Sequence, residues 1–127
     1  FDEQTRLNRF LQPLRDALLC MEWRPNGVRV LAASNPRRLD AALQVGAQTA
    51  AIWLTNLDYV MHPQGYRFRE QRGIELEVRL PVWLNPKRAR LLAPESEPHA
   101  LTTERGGRTL RLRIDALPKQ VGVVWME

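Results

Sequence analysis

From Val28 to Glu127 apolar and polar side chains alternate with a period of two, in short runs stopped by Pro, Gly or Asn-Pro. Such a period puts successive side chains on opposite faces of an extended ribbon and leaves no room for the helices that parallel strands need as crossovers. Val28, Val30 and Ala32 alternate with Arg29 and Leu31 and predict a first strand, ended by Asn35-Pro36. Leu39 to Val45 fits a short helix by composition, but its alternation and Gly46 favour a hairpin strand. Gln48 to Thr55 is apolar on both sides, with Ala50, Ile52 and Leu54 on one and Ala51 and Trp53 on the other, which predicts a central strand covered on each face. Ile74, Leu76, Val78 and Leu80 alternate with Glu75, Glu77 and Arg79, and Pro81 stops them.

Four more runs follow: Arg88 to Ala93, Ala100 to Glu104, Thr109 to Ile114 and Val121 to Trp125. Arg105-Gly106-Gly107-Arg108 joins two of them, with both glycines expected at the positive φ of a tight hairpin. Asn56 to Arg72 is read as the longest irregular stretch. The expectation is a mainly β fold: an antiparallel β-sandwich of about eight strands, residues 28–127, preceded by one amphipathic helical segment, residues 1–27.

In that segment Leu7, Phe10, Leu11, Leu14, Leu18 and Leu19 recur at helical spacing. Asp2 is a candidate N-cap, Pro13 predicts a kink or two short helices meeting, and Pro25-Asn26-Gly27 closes the segment with a turn. The apolar face needs a partner: the outside of one sheet, where Ala51 and Trp53 are placed to receive it, or a preceding domain. Cys20 is expected on that face as a small buried hydrophobe, and as the lone cysteine it forms no intrachain disulfide. The chain begins at Phe rather than Met, without a secretory signal, and is read as a processed or trimmed product or as a domain cut from something longer; no compartment follows. No apolar run nears the roughly 20 residues of a membrane span.

The formal charge of +5 raises the question of nucleic acid. Only Lys87 and Lys119 are lysines; the other 17 basic residues are Arg, scattered and often beside acids, as around Glu75, Glu77 and Arg79. A phosphate-tracking surface concentrates its cations, so a mixed solvated surface is favoured, with clustering of Arg29, Arg111 and Arg113 as the discriminator.

The wording of several runs is familiar. Ala-Ala-Ile-Trp-Leu-Thr-Asn-Leu-Asp-Tyr at 50–59, Ile-Glu-Leu-Glu-Val-Arg-Leu-Pro at 74–81, Arg-Ala-Arg-Leu-Leu-Ala-Pro-Glu at 88–95 and the closing pair 109–114 and 121–127 resemble the C-terminal β-sandwich accessory domain of (β/α)8-barrel glycoside hydrolases. Phe1 to Met21 is similar to the last barrel helix that precedes such a sandwich. The resemblance implies an accessory domain whose partner is the adjacent catalytic domain of the same polypeptide. It also implies that catalytic carboxylates lie on barrel strands outside this chain, so none is carried over.

The residues themselves offer little chemistry. Glu75 and Glu77 share a strand face with interleaved Arg, the mark of a solvated face rather than an acid–base pair. His62 and His99 have no ligand companions at i+3 or i+4, Ser34 and Ser96 lack a nucleophile setting, and Gly106-Gly107 lacks the Lys and helix of a phosphate loop, so no cofactor or metal is expected. A carbohydrate-binding surface is the alternative, stacking sugar faces on loop aromatics. Its candidates are Tyr59, Tyr66, Trp83 and Trp23, with Asp58 beside Tyr59 and His62; packing beneath a loop, or an Asx turn for Asp58, is the competing reading.

Overall fold

The structure, a computed structural model, describes residues 9, 12–94, 96–117 and 120–127. Among them are twelve strands, all paired antiparallel. The strands are β1 (Glu22–Arg24), β2 (Val28–Ala32), β3 (Leu39–Val45), β4 (Ala50–Asn56), β5 (Tyr59–His62) and β6 (Gly65–Phe68), then β7 (Gln71–Arg79), β8 (Ala89–Leu92), β9 (His99–Ala100), β10 (Thr103–Gly106), β11 (Thr109–Leu117) and β12 (Val121–Met126). A six-stranded sheet runs β1-β3-β4-β12-β8-β9, and a four-stranded sheet runs β10-β11-β7-β2. Strands β5 and β6 form a separate hairpin.

The expected sandwich is present because alternation buries one side of each long strand. Leu43, Ile52, Leu54, Leu91 and Val124 of the larger sheet meet Ile74, Leu76, Val78, Leu110, Leu112 and Ile114 of the smaller one in a single core. β4 sits between β3 and β12, as its two apolar faces demand. Its outer Ala51 belongs to a second cluster with Met21, Val123 and Trp125, and Leu14, Leu18, Trp53 and Leu92 pack against that cluster.

This second cluster answers the helix question for the described residues. Gln12–Leu14 is a 3-10 turn across Pro13, followed by a five-residue helix, α1 (Arg15–Leu19). Leu14 and Leu18, one helical turn apart, both touch the outer face of the six-stranded sheet. Leu19 lies off that stripe and is exposed. Cys20 is exposed too, contrary to expectation, because the helix ends before it and the stripe does not continue. The expectations for Asp2, Leu7, Phe10 and Leu11 fall outside the described residues.

Other differences have local causes. The excess over eight strands comes from β1, β5 and β6, which the sequence placed in turn or irregular structure, and from Ala100 to Glu104, which divides. β9 joins the larger sheet and β10 the smaller, so the chain crosses between sheets at Leu101–Thr102, with Leu101 packed on the core. In β2 a register shift after Val30 sets Ala32 opposite outward-facing Glu75, ending the alternation one residue early. At the β10–β11 turn only Gly107 has positive φ, 64°. Gly106 is the last strand residue, and positive φ at the first central position alone is the mark of a type II′ turn.

Candidate functional site

Asn56 ends β4 and is fully buried. Its Oδ1 accepts from the Asp58 amide at 2.9 Å, and its Nδ2 donates to the Arg69 carbonyl at 2.7 Å. The Arg69 amide in turn donates to the Asp58 carbonyl at 2.8 Å. One side chain thus ties both ends of the segment that carries β5 and β6. Gln71, also fully buried, holds the adjoining Ser34–Asn35 turn: its Oε1 accepts from the Asn35 amide at 2.9 Å and its Nε2 donates to the Asn35 carbonyl at 2.9 Å.

On this base the hairpin projects with its faces fixed by register. Tyr59 opposes Phe68 and Met61 opposes Tyr66, so these four share one face. Val60 opposes Arg67 on the other. Pro63 and Gln64 make the two-residue turn, and Gly65 takes a positive φ of 125° just after it. The Tyr59 ring meets Tyr66 edge-on at 5.1 Å between centroids and Phe68 at 5.6 Å. Tyr59, Met61 and Tyr66 are nonetheless 44%, 69% and 64% exposed. Two tyrosines and a methionine on one face are thus turned to solvent, with half-buried Phe68 beneath them.

Tyr59 and Tyr66 are therefore brought together, Asp58 precedes the hairpin with its amide and carbonyl tied to Asn56 and Arg69, and Trp83 lies elsewhere. β7 runs from Gln71, at the hairpin base, to Arg79, about 26 Å of strand. Trp83 follows that far end, 63% exposed, with the Arg24 guanidinium 5.5 Å from its ring centroid. Trp23 was expected in a loop and instead lies on edge strand β1, its ring 6.5 Å from that of Trp53, whose Nε1 donates to Gln44 Oε1 at 2.7 Å. Phe68, Met61 and Asn56 were missed as parts of the site. Gly-Tyr-Arg-Phe after Pro63-Gln64 does alternate, and that signal would have found β6.

The outer face of the four-stranded sheet gathers Arg29, Arg111 and Arg113, but acids lie between them. Arg29 pairs with Glu77 at 3.1 Å and Arg113 with Glu75 at 2.9 Å. In register Glu77 stands between Arg29 and Arg111. Alternating signs of this kind suit solvation, and each exposed pair contributes about 0–1 kcal/mol. Among the described residues no three His, Cys, Asp or Glu side chains are grouped to hold a metal ion, and no helix is long and apolar enough to cross a membrane.

No family model matches the chain, and a search of curated proteins finds no match. Solved structures do match. The chain is similar to the cycloisomaltooligosaccharide glucanotransferase of a Paenibacillus species, complexed with cycloisomaltoheptaose, with a TM-score of 0.71 and 12% identity over 95% of this chain and 20% of that one. It is also similar to alpha-L-fucosidase isoenzyme 2 from Paenibacillus thiaminolyticus, with a TM-score of 0.57 and 16% identity over 95% of this chain and 16% of that one. The likeness is one of fold. The structural neighbours are thus glycoside-hydrolase-related proteins, and this chain spans about a fifth or less of their length.

Proposed function

We propose that the chain is a non-catalytic β-sandwich domain of a glycoside-hydrolase-like protein, and that it completes and stabilises an adjacent catalytic domain of the same polypeptide. The observation that carries this reading is that nearly the whole chain superposes on a minor portion of a much larger glucanotransferase. The outer face of the six-stranded sheet supports it. There Trp53 is only partly buried, with exposed Trp23 and Leu19 at hand to meet a neighbouring domain. Two measurements test the reading. The isolated 127-residue chain is expected to release no product from aryl glycosides or glucans above the buffer rate. Deleting residues 28–127 from the complete polypeptide is expected to lower its Tm by about 5 °C or more. Turnover by the isolated chain, or an unmoved Tm, overturns it.

A second reading is favoured by one observation, the shared exposed face of Tyr59 and Tyr66, with Asp58 next to Tyr59 in the sequence. In this reading the hairpin docks carbohydrate, with sugar rings stacked on the tyrosines and hydroxyls bonded to the carboxylate. Titration with a panel of α-glucan, β-glucan and fucosylated oligosaccharides is expected to give saturable binding that Tyr66→Ala weakens about tenfold, an aromatic contact's worth. Trp83→Ala, at the other end of the sandwich, is expected to leave the affinity unchanged. Equal losses from both variants, or no binding at all, count against the hairpin as a sugar platform.

A further inference from the structure

Three turns meet at the end of the sandwich away from the hairpin. In the first the Gly27 amide donates to the Arg24 carbonyl at 3.2 Å, and Pro25 followed by Asn26 at a φ of 59° marks it as type II. In the second the Leu84 amide donates to the Pro81 carbonyl at 3.1 Å. The third joins β10 to β11. The Arg79 amide donates to the Gly27 carbonyl at 2.7 Å and Arg79 opposes Thr109 in register, so the end of β7 ties the first turn to the third.

The second turn forces apolar side chains into solvent. Leu80 and Leu84 are buried on either side of it, while Val82 and Trp83, its central pair, stand exposed. The Arg24 guanidinium lies over the Trp83 ring. That contact consumes none of its N–H donors, which stay available to an anion. Two residues past Trp83, Asn85 Oδ1 accepts from Arg105 Nη1 and draws a second guanidinium to the same loop. Arg24 also borders an open recess of about 180 Å3, formed by residues 23–28 and by 41–43 of β3.

Charge is concentrated here as it is not on the sheets. Arg24, Arg79, Arg105 and Arg108 all fall on or beside the three turns, are exposed, and among the described residues are in no ion pair. Glu104 adjoins Arg105 but points to the opposite side of β10, where it faces Arg111. Glu77 is taken by Arg29. Glu22, on the Arg24 side of β1, offsets part of the excess.

We infer that this end of the domain binds an acidic saccharide, a chain of hexuronate residues. A sugar carboxylate lies between the guanidiniums of Arg24 and Arg105, and a pyranose face lies against Trp83. The cations occupy one end and give way to alternating signs along the sheet, which suits a short carboxylated segment better than a phosphate backbone. The choice of polymer rests on the glycoside-hydrolase setting proposed above, and not on the hairpin reading.

Calorimetric titration of the 127-residue chain with trigalacturonate tests this, with the fully methyl-esterified trimer as its uncharged twin. Saturable binding of the acid is expected, about tenfold tighter than that of the ester. Trp83→Ala and Arg24→Gln, both exposed changes that spare the fold, each weaken it about tenfold, and Tyr66→Ala leaves it unchanged. No saturation at millimolar trigalacturonate overturns the proposal, as does equal affinity for the ester or indifference to Trp83→Ala. Tighter binding of an oligothymidylate also overturns it, by making the patch a nucleic-acid surface. None of these outcomes bears on the stabilising role, which the Tm of the complete polypeptide decides.

Discussion

Leu76→Ala lowers the unfolding free energy by about 3–4 kcal/mol, within the range for a leucine truncated in a packed core. Leu76 is completely buried in the middle of β7, opposite Leu112 on one neighbouring strand and Val30 on the other. The change removes apolar surface and leaves a void that the two flanking strands cannot collapse into. Urea denaturation reads it as a lower midpoint with an unchanged slope. The next residue supplies the control. Glu77→Ala removes only a solvent-facing partner of Arg29 and is expected to cost less than about 1 kcal/mol. A loss below 1 kcal/mol for Leu76→Ala, or equal losses at the two positions, would mean that β7 does not present one face to the core.

Asn56→Ala has the second largest expected effect, about 2–3 kcal/mol, because it strands polar groups rather than removing methyl groups. The Asp58 amide and the Arg69 carbonyl both lose their side-chain partner, and the side chain that served them is wholly enclosed. Hydrogen exchange separates this from a general loss of stability. Amides from Tyr59 to Phe68 are expected to exchange faster than those of β7 or β12, since the clamp holds the hairpin and not the sheets. Asn56→Asp keeps the acceptor and loses the donor, so it restores the bond from Asp58 and not the one to Arg69. Uniform acceleration across the chain, or none in the hairpin, would show that Asn56 does not position it.

What the sequence revealed and what it hid follow from burial. β3, β4, β7, β11 and β12 each bury one face or both, so their residues alternate and could be read as strands. β1 and β5 are exposed at every position, and with no buried side they leave no pattern to find, while β9 and β10, exposed throughout as well, read as the single run Ala100 to Glu104. The crossing at Leu101–Thr102 was invisible for a related reason: one strand shared between two sheets reads like one strand in a single sheet. At the candidate site, Tyr59 and Tyr66 could be named as exposed aromatics, but their meeting depends on a turn at Pro63-Gln64 read as irregular. Asn56 was legible only in part. Its bond to Asp58 is the local Asx turn that Asn at a strand end favours. Its bond to Arg69 joins residues with a whole hairpin between them, and composition carries no sign of it. Cys20 shows the converse error, a helical stripe extended past the point where the helix stops.

The placement of β12 bears on how the molecule is made. It fills the slot between β4 and β8, joining Val121 to Thr55 and Met126 to Ala50. On the ribosome, then, the larger sheet has a gap at its middle until the last stretch of this chain emerges. Contacts between such distant parts of a chain form slowly, because a long loop must close before they yield any gain. Until that moment two hydrogen-bonding edges stand open in the nascent chain, which makes the interval before closure its period of greatest exposure to aggregation.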